Sequence, residues 1–112
     1  AQAVNCAADQ KKYWEMHDAV FENQKSIANI DELAKAAGVD SKKLNTCIDS
    51  KKYDTKIEKD LNDGRVIGIG GTPSFIVGNT AADGTVKGKL LPGALPFSAF
   101  KAEIDNLLKQ QL

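Results

Sequence analysis

The amino-acid sequence predicts a helix-rich α+β fold, and two features of its pattern carry that prediction. Within the first 67 of its 112 residues, four short segments place apolar side chains every three or four positions, as amphipathic helices do. After Gly68 the pattern changes to two short apolar runs, at residues 75–77 and about 85–91, which are typical of strands. A last amphipathic helix follows. We therefore predict a helical domain over residues 1–67 and a strand–strand–helix segment over residues 68–112.

The first helix is predicted to run from about residue 3 to residue 23. Cys6, Trp14, Val20 and Phe21 can share one face of it at helical spacing. We interpret Trp14 as part of the lining of a core or groove. His17 is the only histidine of the chain, and no partner accompanies it at metal-ligand spacing. We therefore expect His17 to have a structural role and the chain to bind no metal.

Capping signals predict the next three helices. Asn29 as N-cap, Glu32 three residues later and Gly38 after the last turn delimit the second helix. Asp40 is expected to cap the third helix, and Ser50 the fourth, which continues to about residue 67. The positions expected to face inward on the third and fourth helices are Leu44, Cys47, Ile48, Tyr53, Ile57, Leu61 and Gly64.

The last helix closes the strand–strand–helix segment. Pro96 is expected near its first position, where proline fits without loss of a hydrogen bond. Its predicted inner stripe consists of Phe97, Phe100, Ile104, Leu107 and Leu108. A sheet of two strands is only marginally stable, because three or more strands are normally needed. We therefore interpret residues 68–112 as half of a larger fold.

Charge and cysteine content narrow the classes of function. Fifteen basic residues balance fifteen acidic ones, so charge gives no argument for binding nucleic acid or an anionic membrane. No apolar run approaches the ~18 residues of a membrane span. Cys6 and Cys47 are the two cysteines, and neither a CxxC motif nor zinc-ligand spacing occurs. The lysine pairs at 11–12, 42–43 and 51–52 are interpreted as solvated helix faces. We expect no nucleic-acid partner and no cofactor.

The stretch GIGGTPSFIVGN, residues 68–79, places Pro73 directly before an apolar strand. Proline gives a strand no N–H, so its position there needs a reason. One interpretation is a cis Thr72–Pro73 bond, with Gly70 and Gly71 permitting close approach of another backbone. The exposed main chain before Pro73 would then pair with a peptide or thiol substrate as an added strand. The other interpretation is a plain β-turn that begins the strand, and the stretch alone leaves both open.

Four stretches taken together carry a family resemblance. In order and spacing, CAADQKKYWEMHDAVFENQ, AGVDSKKLNTCIDSKKY, GIGGTPSFIVGN and LLPGALPFSAFKAEID resemble the DsbA-like thiol:disulfide oxidoreductases. The resemblance covers essentially the whole chain. It implies a thioredoxin fold with an inserted helical domain, of which this sequence matches the insertion and the C-terminal half. The family's redox CxxC stands in the N-terminal strand–helix–strand part, which this sequence does not contain.

The resemblance also implies roles for individual residues. Pro73 matches the cis-proline beside the active dithiol, and the main chain of Thr72, with Gly71 before it, is expected to contact substrate. No catalytic residue is carried over, because the CxxC lies outside this sequence. Cys6 and Cys47 align with cysteines that some members carry in the helical insertion, and we expect them to form a structural disulfide. The family implies a periplasmic or otherwise extracytoplasmic location, oxidation or isomerisation of cysteine-containing secreted proteins, and a redox partner protein.

Two other functions stay open. Glutathione-binding enzymes of the kappa-type transferase or chromene-isomerase branch share this architecture and hold the glutathione backbone with a cis-proline. A non-catalytic peptide-binding module would use the groove beside Pro73 without redox chemistry. We further expect this chain alone to be redox-inert, since it lacks the dithiol. We also expect it to associate with itself or with the missing N-terminal half, since its strands leave an open edge.

Overall fold

A computed structural model describes residues 1–110, and the predicted mixed α+β fold is confirmed. Residues 111 and 112, the end of the predicted C-terminal segment, lie outside the described residues. A short 3-10 helix follows α2. The elements are α1 Gln2–Ala8, α2 Tyr13–Glu22, α3 Ile30–Ala37, α4 Ser41–Asp49, α5 Asp54–Val66, β1 Ser74–Thr80, β2 Val86–Pro92 and α6 Phe97–Gln110.

The chain divides into two compact units, and the division falls inside α5, between Asp63 and Gly64. We call the first the helical unit and the second the hairpin unit. No helix within residues 1–110 has the length and apolar character that crossing a bilayer requires.

The predicted single helix over residues 3–23 is wrong, because a turn divides it. α1 ends at Ala8 and α2 begins at Tyr13. Between them Lys11 takes a left-handed φ of 60°. The N–H of Lys11 donates to the Ala8 carbonyl at 2.9 Å, and the N–H of Lys12 donates to the Ala7 carbonyl at 3.0 Å. These bonds satisfy the carbonyls at the end of α1, so the helix stops without a glycine or a proline.

The turn changes which side chains of α2 are buried. Met16 and Ala19 lie in the core, whereas Trp14 is 65% exposed and Phe21 is 62% exposed. The prediction that Trp14 and Phe21 share the inward face of Cys6 is therefore wrong. A new helix starts at a new rotation about its axis, so helical spacing counted across the turn no longer identifies one face.

The helix ends predicted from capping residues at α3 and α4 are confirmed. The Asn29 side chain accepts a hydrogen bond from the Glu32 N–H at 3.1 Å at the start of α3. Gly38 ends that helix in the left-handed conformation, with φ of 72°. The Asp40 side chain accepts from the Lys43 N–H at 2.9 Å at the start of α4. Each bond satisfies a donor that a helix start leaves unpaired.

Two predictions for the fourth predicted helix are wrong. Ser50 ends α4 instead of starting α5, and its hydroxyl donates to the Cys47 carbonyl at 2.6 Å. α5 begins at Asp54 and buries none of its residues, and Leu61 is exposed. The apolar side chains of α5 are few among charged neighbours, so the helix offers too narrow a stripe to bury.

The core of the helical unit lies between α1, α2, α3 and α4. The largest side chains in it, Met16, Leu33 and Leu44, are fully buried. Burial of each such side chain stabilises the fold by roughly 1.5–3 kcal/mol relative to exposure. Small residues and the disulfide fill the space between them; the buried members are Cys6, Ala7, Met16, Ala19, Leu33, Ala34, Ala37, Val39 and Leu44.

The hairpin unit has a two-stranded antiparallel sheet. The register runs from Ser74 opposite Pro92 to Thr80 opposite Val86. α6 packs on one face of the sheet: the Phe75 and Phe100 rings meet edge-on with centroids 5.0 Å apart. On the same face the Lys89 ammonium lies 2.8 Å from the Glu103 carboxylate. Side chains alternate between faces along a strand, so Ile76 and Val86 lie on the other face.

The predicted inner stripe of α6 is largely exposed. Phe97 is 78% exposed, and Ile104 and Leu108 are also exposed. Leu91 is the one buried hydrophobic residue of the hairpin unit among those described. Two strands cover too little of an amphipathic helix to bury its stripe, which is why the prediction of an inward stripe fails within this unit.

We predict that the purified chain self-associates through the sheet face opposite α6. Ile76 and Val86 are exposed on that face, and apolar surface beside open strand edges favours association. Sedimentation velocity over a range of concentrations measures it, and the sedimentation coefficient is expected to rise with concentration. The double substitution Ile76→Lys and Val86→Lys removes the apolar surface and is expected to keep the chain monomeric. A wild-type chain that stays monomeric at every concentration contradicts the prediction.

Candidate functional site

The candidate site is the loop that leads into β1, which we call the Pro73 loop, residues 70–73. Its four residues are exposed, and the Thr72–Pro73 peptide bond is cis. Gly68, just before the loop, has a φ of 89°, a conformation that glycine adopts without a steric penalty. The chain therefore leaves α5 through a glycine turn and reaches the strand with its backbone open to solvent.

Two hydrogen bonds hold the Pro73 loop. The N–H of Gly93 donates to the Pro73 carbonyl at 2.9 Å, which ties the loop to the end of β2. The Ser74 hydroxyl donates to the Gly71 carbonyl at 2.6 Å, which closes the loop on itself. Sequence reasoning missed both Gly93 and Ser74. The PG pair at Pro92 and Gly93 signals a turn, but nothing in the sequence indicates which carbonyl that turn would meet.

The main chain of Thr72 lies between these anchored positions and is free. Among residues 1–110, none donates a hydrogen bond to its carbonyl and none accepts one from its N–H. The carbonyls of its neighbours Gly71 and Pro73 both accept hydrogen bonds, so the loop is anchored on either side of the unpaired N–H and carbonyl of Thr72. A fixed, unpaired backbone segment next to a strand can bind an extended peptide by main-chain hydrogen bonds.

The two cysteines lie in the helical unit and are joined to each other. The sulfurs of Cys6 and Cys47 are 2.10 Å apart and the Cα atoms are 5.8 Å apart. Since the chain has two cysteines, this pairing leaves no thiol for nucleophilic chemistry. Within the described residues, no group of three or more potential ligands is arranged to hold a metal.

A polar cluster that sequence reasoning missed lies beside this disulfide. The Asp9 carboxylate accepts hydrogen bonds from the Lys52 ammonium, at 2.7 Å, and from the Tyr53 hydroxyl. Its Oδ2 atom also lies 3.7 Å from Cys47 Sγ. The interpretation of Lys52 as part of a purely solvated face is incomplete, because its charge is paired. The partners are more than forty residues apart in the chain, so spacing gave no signal of the cluster.

The environment of Asp9 changes three pKa values in consistent directions. The hydrogen bond from Lys52, followed by that from Tyr53, lowers the pKa of the Asp9 carboxyl. The bond to Asp9 raises the pKa of the Lys52 ammonium and also that of the Tyr53 hydroxyl. Each shift favours a carboxylate with two protonated donors, so the cluster is in one charge state across the neutral range.

We predict that the helical unit loses stability in acid as the Asp9 carboxylate becomes protonated. A free aspartate titrates near ~4, and the folded carboxyl titrates lower, so the unfolded chain binds more protons in that interval. The contribution of Asp9 is therefore complete above the ordinary carboxyl range and is lost as pH falls through the folded pKa. Urea midpoints followed by circular dichroism measure this. Asp9→Asn is expected to flatten the acid side of the curve, and parallel curves for the variant and the wild type contradict the prediction.

His17 lies in a row of aromatic side chains on α2. Its ring centroid is 5.1 Å from that of Trp14 and 4.7 Å from that of Phe21. Its Nδ1 atom is 3.0 Å from the Asp18 carboxylate. The imidazole contacts both larger rings, and the structural role expected for His17 stays a prediction.

Comparison with known families agrees with this architecture. A family model described as thioredoxin matches residues 1–95. The chain belongs to this thioredoxin family. The match includes the helical unit, the Pro73 loop and both strands. No curated protein and no solved structure matches the chain.

Proposed function

We propose that this chain is the helical and proline-loop portion of a DsbA-like thiol:disulfide oxidoreductase. The complete enzyme would oxidise or isomerise disulfides in secreted proteins, and a CxxC-bearing strand–helix–strand segment would complete its thioredoxin fold. Gly71, Thr72 and Pro73 are the proposed substrate contacts. An extracytoplasmic, for example periplasmic, location accords with the disulfide between Cys6 and Cys47, since disulfides persist in oxidising compartments.

The observation that carries the proposal is the free main chain of Thr72 in a member of the thioredoxin family. Disulfide exchange requires a substrate sulfur to be held in line with the attacking thiolate. Main-chain hydrogen bonds hold a substrate strand without selecting its side chains, which suits an enzyme with many protein substrates. Because the carbonyls of Gly71 and Pro73 are hydrogen-bonded, the loop keeps its position while it binds a substrate strand.

In the proposed reaction, the CxxC segment supplies the reacting sulfurs and the Pro73 loop orients the substrate. In oxidation, a substrate thiolate attacks the CxxC disulfide and forms a mixed disulfide, and one CxxC thiolate leaves. A second substrate thiolate then attacks the substrate sulfur of that mixed disulfide, which creates the substrate disulfide and leaves a reduced CxxC. The Thr72 main chain orients the substrate in both steps. In the complete enzyme the Thr72 hydroxyl would lie near the dithiol, where a donor would stabilise a thiolate.

The surface of the hairpin unit supports a fold completed by a further segment. Its sheet has two strands, with Ile76 and Val86 exposed on the sheet and Phe97 exposed on α6. Additional strands would pair the open edges, and an additional helix would cover the exposed face. The proposed partners are therefore the CxxC segment, cysteine-containing substrate proteins and the redox protein that restores the dithiol.

Nuclear magnetic resonance tests the proposed substrate contact. A synthetic extended peptide with one cysteine is titrated into the labelled chain, and amide shifts are expected to change at Gly71, Thr72, Ser74 and Gly93. Thr72→Pro removes the N–H donor and is expected to weaken binding about tenfold, the scale of one hydrogen bond in a binding site. Thr72→Ala keeps the donor and serves as the matched control, with binding close to that of the wild type.

Three outcomes of the titration contradict the proposal. Shift changes that avoid the Pro73 loop place the contact elsewhere. Equal losses for Thr72→Pro and Thr72→Ala indicate recognition of the side chain instead of the main chain. Binding of glutathione without binding of the peptide favours a glutathione-dependent enzyme. Unchanged shifts of the β1–β2 amides in each variant show that the sheet itself is intact.

A further inference from the structure

We propose that Cys47 Sγ is the sulfur at which the Cys6–Cys47 disulfide exchanges with small thiols, and that the Asp9 carboxylate slows this exchange. This site lies in the helical unit and does not depend on the function proposed for the Pro73 loop. In this proposal the negative charge of Asp9 slows the attack of a thiolate on the disulfide.

The two cysteine residues differ in exposure. Cys6 is 2% exposed and belongs to the core, whereas Cys47 is partly exposed at its edge. Cys47 also lines a surface depression of about 490 Å³, together with Lys43, Thr46 and Ser50. Thiol exchange needs an in-line approach to one sulfur, and because Cys47 is the more exposed residue we expect an external thiolate to attack there.

The direction of attack decides the course of the reaction. A thiolate attacks Cys47 Sγ, a new S–S bond forms there, and the bond to Cys6 breaks with the electron pair on Cys6. The leaving sulfur is released into a buried apolar site, where a thiolate is unfavourable and must take up a proton. Exchange is completed when a second thiolate attacks the mixed disulfide and releases Cys47.

Asp9 opposes the first of these steps. Its Oδ2 atom lies 3.7 Å from Cys47 Sγ, and a disulfide sulfur has no proton to donate, so the contact is a close approach of a negative charge. The transition state of exchange spreads negative charge over three sulfurs, and a carboxylate at this distance repels it. Bonds from Lys52 and Tyr53 hold the carboxylate in position.

A substitution at Lys52 distinguishes an effect of the Asp9 charge from a simple loosening of the fold. The Lys52 ammonium lies 2.7 Å from Asp9 and offsets part of the negative charge. Asp9→Asn and Lys52→Met both break the same ion pair. If the ion pair only stabilises the local structure, both variants expose the disulfide, and thiols reduce it faster. If charge governs the attack, Asp9→Asn reacts faster and Lys52→Met does not, because the carboxylate is left without its counter-charge.

Reduction kinetics of the native oxidised chain test this. Dithiothreitol is added in excess at constant pH, aliquots are quenched by acid and alkylated, and free thiols are counted by mass. We expect Asp9→Asn to be reduced about three- to tenfold faster than the wild type, with the ratio falling towards one at high salt. Asp18→Asn, a carboxylate variant on α2 outside this cluster, is the matched control and is expected to react as the wild type does.

A second measurement locates the attacked sulfur. The chain is treated with 2-mercaptoethanol, quenched in acid and digested, and the mixed disulfide is expected on Cys47 with a free thiol at Cys6. Adducts on Cys6 overturn the assignment of the sulfur. Equal acceleration by Asp9→Asn and Lys52→Met, an unchanged rate in Asp9→Asn, or a ratio that salt leaves unaltered overturns the assignment of Asp9.

Discussion

Replacing Cys6 and Cys47 together by alanine is expected to lower the free energy of unfolding of the helical unit by about 4 kcal/mol. The two residues are 41 apart in sequence, so the disulfide closes a long loop and restricts the unfolded chain. The loss is large for this unit, because its core has few large side chains and α5 adds no buried residue to it. Small domains with such cores have little stability in reserve.

Urea denaturation followed by circular dichroism at the helical signal measures this loss. The wild-type chain in excess reductant is the matched control, and its midpoint is expected to fall close to that of the double alanine variant. If the two midpoints agree, the loss of stability comes from the missing cross-link and not from repacking around the new alanines. A double variant with the midpoint of the oxidised wild type contradicts the expected role of the disulfide.

Gly78→Ala is expected to disrupt the hairpin unit. Gly78 and Gly88 face each other across the two strands. A Cβ built at Gly78 lies 2.4 Å from the Lys87 carbonyl oxygen and 2.6 Å from Gly88 Cα, both of which are backbone atoms. Backbone cannot move aside without breaking the strand pairing, so we expect a loss at the upper end of the ~1–3 kcal/mol typical of overpacking. Gly88→Ala meets the facing backbone at similar distances and is expected to behave alike.

Amide hydrogen exchange across β1 and β2 measures the effect. Protection of the paired strand amides is expected to fall in Gly78→Ala and to remain in Gly70→Ala. The latter is the matched control, because a Cβ at Gly70 meets no atom within 4 Å. Protection that is equal in the two variants shows that the close approach of the strands is not maintained in solution.

Local signals in the sequence were sufficient for part of the fold. The side chains of Asn29 and Asp40 accept hydrogen bonds from backbone N–H groups three residues later, so the sequence alone indicates where α3 and α4 begin. The strands around residues 75–77 and 85–91 were also predicted, since their apolar runs stand between turn residues. The turn at Lys11 was missed, because a lysine in the left-handed conformation has no sequence signature.

The candidate site could be predicted only where its signals are local in the sequence. The GGTP stretch pointed to the Pro73 loop through the local restrictions on proline and glycine. The bond from Gly93 to Pro73 and the bond from Lys52 to Asp9 join residues far apart in sequence. Such pairs depend on how the elements pack, so one sequence without its tertiary arrangement gives no sign of them.

The initial rate of insulin disulfide reduction by the proposed complete enzyme, with its CxxC segment, tests whether the Pro73 loop orients substrate for thiol exchange. We expect thiol-dependent turnover by that protein, none by residues 1–112 alone, and about a tenfold or greater loss of rate in Thr72→Pro, because a misaligned substrate reacts slowly. Thr72→Ala is expected to keep a rate within about threefold of the wild type, since its main-chain donor remains. The absence of turnover by this complete enzyme, or a rate that Thr72→Pro leaves unchanged, contradicts the proposed role of the Pro73 loop.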